Sequence, residues 1–181
     1  MRPVFLTGFM GTGKSTLGRA LAARVDGLRF VDLDDAAEAR LGCTASEAFA
    51  AGRSDAFRQA EAAALAQLCE AENVVVACGG GTPCYGDNME RMLAAGTVVL
   101  LTAERGRLLR RLTEAPGKRP LVDGLEGKAL SDRVDELMRA REDAYSRAHA
   151  VFDATCLETV AEVEATAEAF IAEFLSNPIN C

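Results

Sequence analysis

The sequence predicts an α/β fold, a parallel sheet covered by helices on both faces, and three observations carry that expectation. Short apolar, β-branched segments alternate with longer helical ones along the 181 residues. One glycine-rich loop, Gly8-Phe9-Met10-Gly11-Thr12-Gly13-Lys14-Ser15-Thr16, stands between a strand pattern and a helix pattern and fits the form G-x-x-x-x-G-K-[ST]. Two further unusual stretches, a carboxylate pair and a triple glycine, fall at the carboxyl ends of predicted strands, where ligands of such sheets gather. The length suits a single domain over 1–181.

Val4 to Thr7 is apolar enough for a buried strand, and Leu17 to Val25 suits a helix. Between them the glycines allow successive backbone N–H groups to turn around a phosphate chain, and the following helix directs its positive end at the same anion. Gly11, Thr12, Gly13, Lys14, Ser15 and Thr16 are therefore expected to bind nucleotide. Lys14 would reach the terminal phosphates and Ser15 would offer a hydroxyl to Mg²⁺. A turn that binds nothing has no need of Lys-Ser at these two places.

Arg29 to Leu33 reads as the second strand. Period 2 points Asp32 and Asp34 to one face, so that one could hold Mg²⁺ and the other could orient or deprotonate a hydroxyl. Helix capping, the ordinary alternative for an Asp here, is expected of Asp35. The stretch from Ala36 to Glu72 is too long for one crossover helix and breaks near Gly42 and Gly52, which predicts a helical insertion over 33–72. Within it Arg58 lies early in a helix, where a cation is disfavoured. It either meets an anionic ligand or pairs with Glu61, i to i+3.

Val74 to Cys78 reads as the third strand and ends in Gly79-Gly80-Gly81, which would admit a ligand close to the backbone or simply make a flexible turn. Thr97 to Leu101 is the fourth strand. After it Arg105, Arg107, Arg110, Arg111, Lys118 and Arg119 face only Glu114 between 105 and 119, and the segment becomes rich in Pro and Gly. A lid over 112–127 is expected, with an arginine able to stabilise charge on a transferred group. Arg105 and Arg107 read as a solvated helix face. A helix from about Lys128 to His149 places Arg141 on its apolar stripe, where a guanidinium must meet a buried acid or an anionic ligand. His149, the lone histidine, has no paired nucleophile and reads as structural. Ala150 to Asp153 is the fifth strand, with a helix after it.

A net charge of −7 argues against a nucleic-acid or anionic-membrane surface, so an anionic ligand needs a local basic pocket. Cys43, Cys69, Cys78, Cys84, Cys156 and Cys181 show neither C-x-x-C nor metal spacing and read mostly as small apolar fillers in a reducing compartment. With no apolar run of membrane length and no leader-like start, a cytoplasmic protein is expected.

Together these residues resemble the shikimate kinase family, from about Pro3 to Phe174. The phosphate loop, Phe30-Val31-Asp32-Leu33-Asp34, Phe57-Arg58-x-x-Glu61, Gly79-Gly80-Gly81, Arg119-Pro120-Leu121 and Arg141-x-x-x-Tyr145 form an ordered set that is specific to it. The resemblance implies a P-loop, nucleoside-monophosphate-kinase-like fold with a five-stranded parallel sheet, acting as a monomer. It implies transfer of the γ-phosphoryl of ATP, with Mg²⁺, to the 3-hydroxyl of shikimate, on the chorismate route to aromatic amino acids. Arg58 and Arg141 would clamp the shikimate carboxylate, Gly80 and Gly81 would contact shikimate, and Asp34 would hold its hydroxyls. Asp32 and Ser15 would organise Mg²⁺, and Lys14 and Arg119 would stabilise the moving phosphoryl group. Arg110 or Arg111 would pack on adenine. Cys78 stands where the family usually has Thr.

Two other readings share parts of this pattern. A gluconate-kinase-like enzyme would use the same loop and general fold, but paired arginines and a triple glycine favour a carboxylated ring over an open-chain acid. A nucleotide-binding module without kinase activity would have no use for Asp34, Arg58 and Arg141 together.

Overall fold

The computed structural model describes residues 1–114 and 121–176, and among these five strands form one sheet. They are β1 (Val4–Thr7), β2 (Arg29–Asp32), β3 (Val74–Ala77), β4 (Thr97–Thr102) and β5 (Ala150–Asp153). Their order is β2-β3-β1-β4-β5 and every pairing is parallel, as the alternation of elements predicts. The chain passes from β3 to β4 across β1, so the switch in strand order falls at β1. Its carboxyl end feeds directly into the phosphate loop.

Side-chain alternation sorts the core into two layers. On one face Val4, Leu6, Val75, Val99 and Leu101 meet Leu17 and Leu21 of α1 (Lys14–Ala22) together with Ala167 and Phe170 of α9 (Val160–Phe170). On the other, Phe5, Val74, Val76 and Val98 meet Ala64 and Leu65 of α4 (Ser54–Cys69) and Met89 and Met92 of α5 (Asn88–Ala95). Each such buried side chain contributes roughly 1.5–3 kcal/mol relative to exposure. The sheet layers thus carry the stability and leave the loops at the strand ends free for polar groups.

The stretch after β2 forms α2 (Leu33–Leu41), α3 (Ala45–Ala50) and α4, broken at Gly42 and Gly52, both with positive φ. Ala37, Ala48 and Phe57 give these helices a small core of their own, while the second half of α4 belongs to the sheet layer. Beyond β4 lie α6 (Arg105–Thr113) and α7 (Gly127–Arg139), which pack Leu108, Leu112, Leu130 and Val134 against Phe9 of the phosphate loop.

Three expectations need correction. The helix expected over Lys128 to His149 is interrupted: α7 ends at Arg139, and a single turn, α8 (Glu142–Tyr145), begins after Arg141, whose φ of −112° takes it out of the helix. Asp32, not Asp35, caps α2, its carboxylate accepting from the Asp34 amide, so Asp34 belongs to a helix and not to the strand. Cys84 and Cys156 are exposed and fill no core, whereas Cys78 is buried with its Sγ 3.6 Å from Met92 Sδ.

At the end of β1, Gly8 has a φ of +130°, and a Cβ there would stand 2.4 Å from the carbonyl oxygen of Leu101. That oxygen belongs to the neighbouring strand and cannot yield. Gly8→Ala is therefore expected to lower stability by at least about 2 kcal/mol, from the strained φ and the clash together. A urea midpoint equal to that of the unmutated chain would show that strand and loop can separate.

Candidate active site

The phosphate loop is built from its glycines and from one lysine. Gly11 and Gly13 take φ of +83° and +94°, a region that side chains rarely enter, and α1 starts at once with Lys14. Lys14 Nζ donates to the carbonyls of Gly8 and Phe9, each at 2.8 Å, so the ammonium is folded over the loop it serves. Thr12 turns inward, its hydroxyl donating to Phe9 O at 2.8 Å, and helps to shape the loop without lining the cleft. Ser15 donates to Asp32 at 2.6 Å.

The cleft over this loop encloses about 690 Å³ and is lined by Gly11, Gly13, Lys14, Ser15, Thr16, Asp32, Asp34 and Arg111 among others. Arg111 reaches it by donating to Gly11 O (3.2 Å) and Thr155 O (2.6 Å). Arg110 pairs with Glu158 at 2.6 Å and, unlike Arg111, is not part of the lining. Arg105 pairs with Asp135 and Arg107 lies near Glu158 and Glu162, the solvated face expected of them. His149 accepts from the Val98 amide and holds β4 beside the start of β5.

A second, smaller cavity of about 130 Å³ adjoins the first, and Met10, Asp34, Gly79 and Gly80 line both. Its walls hold Phe49, Phe57, Arg58, Gly81, Leu121 and Arg141. Arg58 is fixed by Glu61, a fully buried carboxylate 2.6 Å from its Nη1, and by the rings of Phe49 and Phe57 at 5.8 and 5.7 Å. Arg58 thus pairs within its helix, as one of its two readings has it, and also faces a pocket. Arg141 is 8 % exposed and lies over the Phe9 ring at 5.3 Å. Its Nη1 is buried without a hydrogen-bond partner, and no ion pair to it is found among the described residues. A buried guanidinium left in that condition is costly unless an anion meets it.

The triple glycine provides room more than flexibility, since none of the three has positive φ. A Cβ on Gly79 would stand 2.6 Å from Asp34 Oδ1, on Gly80 2.9 Å from Arg141 Nη1, and on Gly81 2.7 Å from Arg58 Nη2. The segment thus lets one carboxylate and two guanidiniums crowd against a bare backbone. Tyr145, which the sequence offered only as a motif position, donates its hydroxyl to Gly80 O at 2.7 Å and holds this backbone in place.

Burial sets the electrostatics. It lowers Lys14 to a pKa of about 8, against the pull of Asp34. It raises Asp34 to about 7, with Glu61 and Asp32 adding to the shift and Lys14 and Arg58 opposing it. A carboxyl near neutrality at the meeting of two cavities is suited to take a proton from a hydroxyl. Burial also pushes the thiol of Cys78 well up; the residue packs in the core layer and also lines the cleft.

A lysine-bearing phosphate loop that opens through one carboxylate into a pocket with two guanidiniums defines a nucleotide-dependent kinase acting on a small anionic acceptor. Residues 10–174 match the family described as shikimate kinase. A shikimate kinase of Phocaeicola vulgatus is 40% identical over 168 residues, 93% of this chain and 95% of the relative. The crystal structure of shikimate kinase from Bacteroides thetaiotaomicron superposes with a TM-score of 0.89 at 37% identity, covering 97% of this chain and 99% of the other. That of Acinetobacter baumannii shikimate kinase in complex with shikimate gives 0.83 at 28%, covering 99% and 96%. The chain belongs to the shikimate kinase family.

Arg119, expected to act on the phosphoryl group, lies outside the described residues, as do residues 115–120 of the segment read as a lid. Every other expected site residue lines one of the two cavities, except that Thr12 shapes the loop from within. Among the described residues no helix is long and apolar enough to cross a membrane.

Proposed function

We infer that the protein transfers the γ-phosphoryl group of ATP to the 3-hydroxyl of shikimate, giving shikimate 3-phosphate and ADP. The observation that carries this reading is the junction at Asp34, where a phosphate-binding cleft meets a pocket bearing two guanidiniums. Arg58 and the unpaired Nη1 of Arg141 would take the carboxylate of shikimate between them, against the bare backbone of Gly80 and Gly81. Bound in that way, the ring presents its far edge, with its hydroxyls, toward Asp34. Asp34 then orients the reacting hydroxyl and accepts its proton. Lys14 follows the transferred group with its charge.

The oxygens of Ser15 and Asp32 fit Mg²⁺, a hard cation that takes one or two carboxylates and fills its other positions with phosphate and water. When bound, Mg²⁺ neutralises charge on the terminal phosphate oxygens. Gly11, Gly13, Thr16 and Arg111 complete the nucleotide side. Residues 33–72 serve as the substrate-binding insertion and 112–127 as the lid, with Arg119 adding charge to the transition state; these two roles rest on the sequence motifs. A cytoplasmic monomer of one domain is part of the same reading.

The test is acceptor dependence. ADP release from ATP should require added shikimate, and gluconate and quinate should support little. Equal ADP release with no acceptor, or with gluconate, would overturn the assignment.

A further inference from the structure

We propose that Thr82 is a positioning residue for the acceptor, its hydroxyl fixing Glu61 and, through Glu61, holding the Arg58 guanidinium in its substrate-binding pose. The inference rests on the reading of Arg58 given above and adds to it a residue outside every motif quoted from the sequence.

Glu61 is fully buried, and both of its oxygens are engaged. Oε2 accepts from Arg58 Nη1 at 2.6 Å, and Oε1 accepts from the Thr82 hydroxyl at 2.5 Å. A carboxylate withdrawn from water needs donors on both oxygens. The Thr82 side is also the crowded one. The Cβ position of Gly79 lies 2.6 Å from Asp34 Oδ1, 2.8 Å from Glu61 Oε1 and 3.0 Å from Thr82 Oγ1, so two acids and one donor converge on a single backbone site. Without the hydroxyl, Oε1 would be buried and unpaired beside a second carboxyl. The Glu61 carboxylate would have to turn away, and Arg58 is attached to it.

Thr82 is well placed to prevent that turn because it cannot move. It is fully buried, its amide donates to Gly79 O at 3.0 Å, and its carbonyl accepts from Asn88 Nδ2 at 3.0 Å. Thr82 also opens the short 3₁₀ turn Thr82–Cys84, which Pro83 stiffens. Gly81, one residue earlier, leaves the space that Arg58 Nη2 occupies. Two consecutive residues therefore serve one guanidinium, the first by removing a side chain and the second by supplying a donor.

Thr82→Val keeps the shape and removes only the hydroxyl. It is expected to raise the KM for shikimate about tenfold, the effect of leaving a buried charged acceptor unpaired. The KM for ATP should hold within about twofold, and Thr82→Ser, which keeps the donor, should restore shikimate KM to within about twofold. If Thr82→Val does not fold, Thr82→Ala against Thr82→Ser makes the same comparison. A shikimate KM that is the same in the hydroxyl-free and serine variants overturns the inference, whatever happens to the melting temperature. Arg58→Ala separates the two levels. If it raises shikimate KM while Thr82→Val does not, only the role of Thr82 fails; if it leaves shikimate KM unchanged, the clamp reading fails and takes this inference with it.

Discussion

Lys14→Met is expected to leave the fold intact and abolish most turnover, with kcat lower by at least about a hundredfold. The ammonium donates to the carbonyls of Gly8 and Phe9 and sits at the floor of the cleft, where low dielectric strengthens its action on a phosphoryl group in transit. Methionine fills a similar volume, so the loss would be one of charge and not of packing. Circular dichroism and thermal melting would check the fold, and single-turnover phosphoryl transfer would read the chemistry. A kcat near that of the unmutated enzyme would mean that the loop does not hold the reacting phosphate.

Arg141→Lys is expected to fail almost as completely, but on the other substrate. The Nη1 atom is buried beside Gly80 with no protein partner, and a compact ammonium cannot reproduce a planar, two-pronged contact with a carboxylate. Losing one side of a buried, charged hydrogen bond costs on the order of 2 to 5 kcal/mol, which corresponds to a factor of at least about 30 in shikimate affinity. ATP binding, which belongs to the loop, should change little. Calorimetric titration of the folded variant with shikimate, beside its melting curve, reads both quantities. Unchanged affinity with a lowered melting temperature would make Arg141 a structural residue.

What could be read from the sequence was local, and what could not was set by contacts between distant segments. The three central strands, β1, β3 and β4, declare themselves because each is short, apolar and mostly buried, and the phosphate loop because its backbone needs glycine at fixed places. Asp34 was found for an incomplete reason: period 2 assumes a continuing strand, whereas the chain turns helical at Leu33 under the Asp32 cap. The two acids still end beside the loop because either geometry leaves them at the carboxyl end of β2. Arg141 likewise faces inward, but through a break between α7 and α8 that the apolar periodicity does not show. Helical phase runs straight through Ala140 and Arg141, since neither is a glycine or proline. The glycine run carried the signal of close approach, yet what approaches includes the protein's own arginines. Thr82 gave no signal at all, because its partner Glu61 lies 21 residues away and only the fold brings them together.

The stacking of Arg141 on Phe9 joins the two halves of the reaction centre. Phe9 belongs to the loop that receives the phosphate donor, and its ring is also packed by Leu108, Leu112 and Val134 of α6 and α7. A shift of this ring on nucleotide binding would be felt by the guanidinium proposed to receive the acceptor's carboxylate. Two ligands that act on one shared element are bound by reciprocity: the factor by which ATP alters the affinity for shikimate is the factor by which shikimate alters the affinity for ATP. The Phe9 ring is the contact through which each substrate would report its presence to the other before any bond is made or broken.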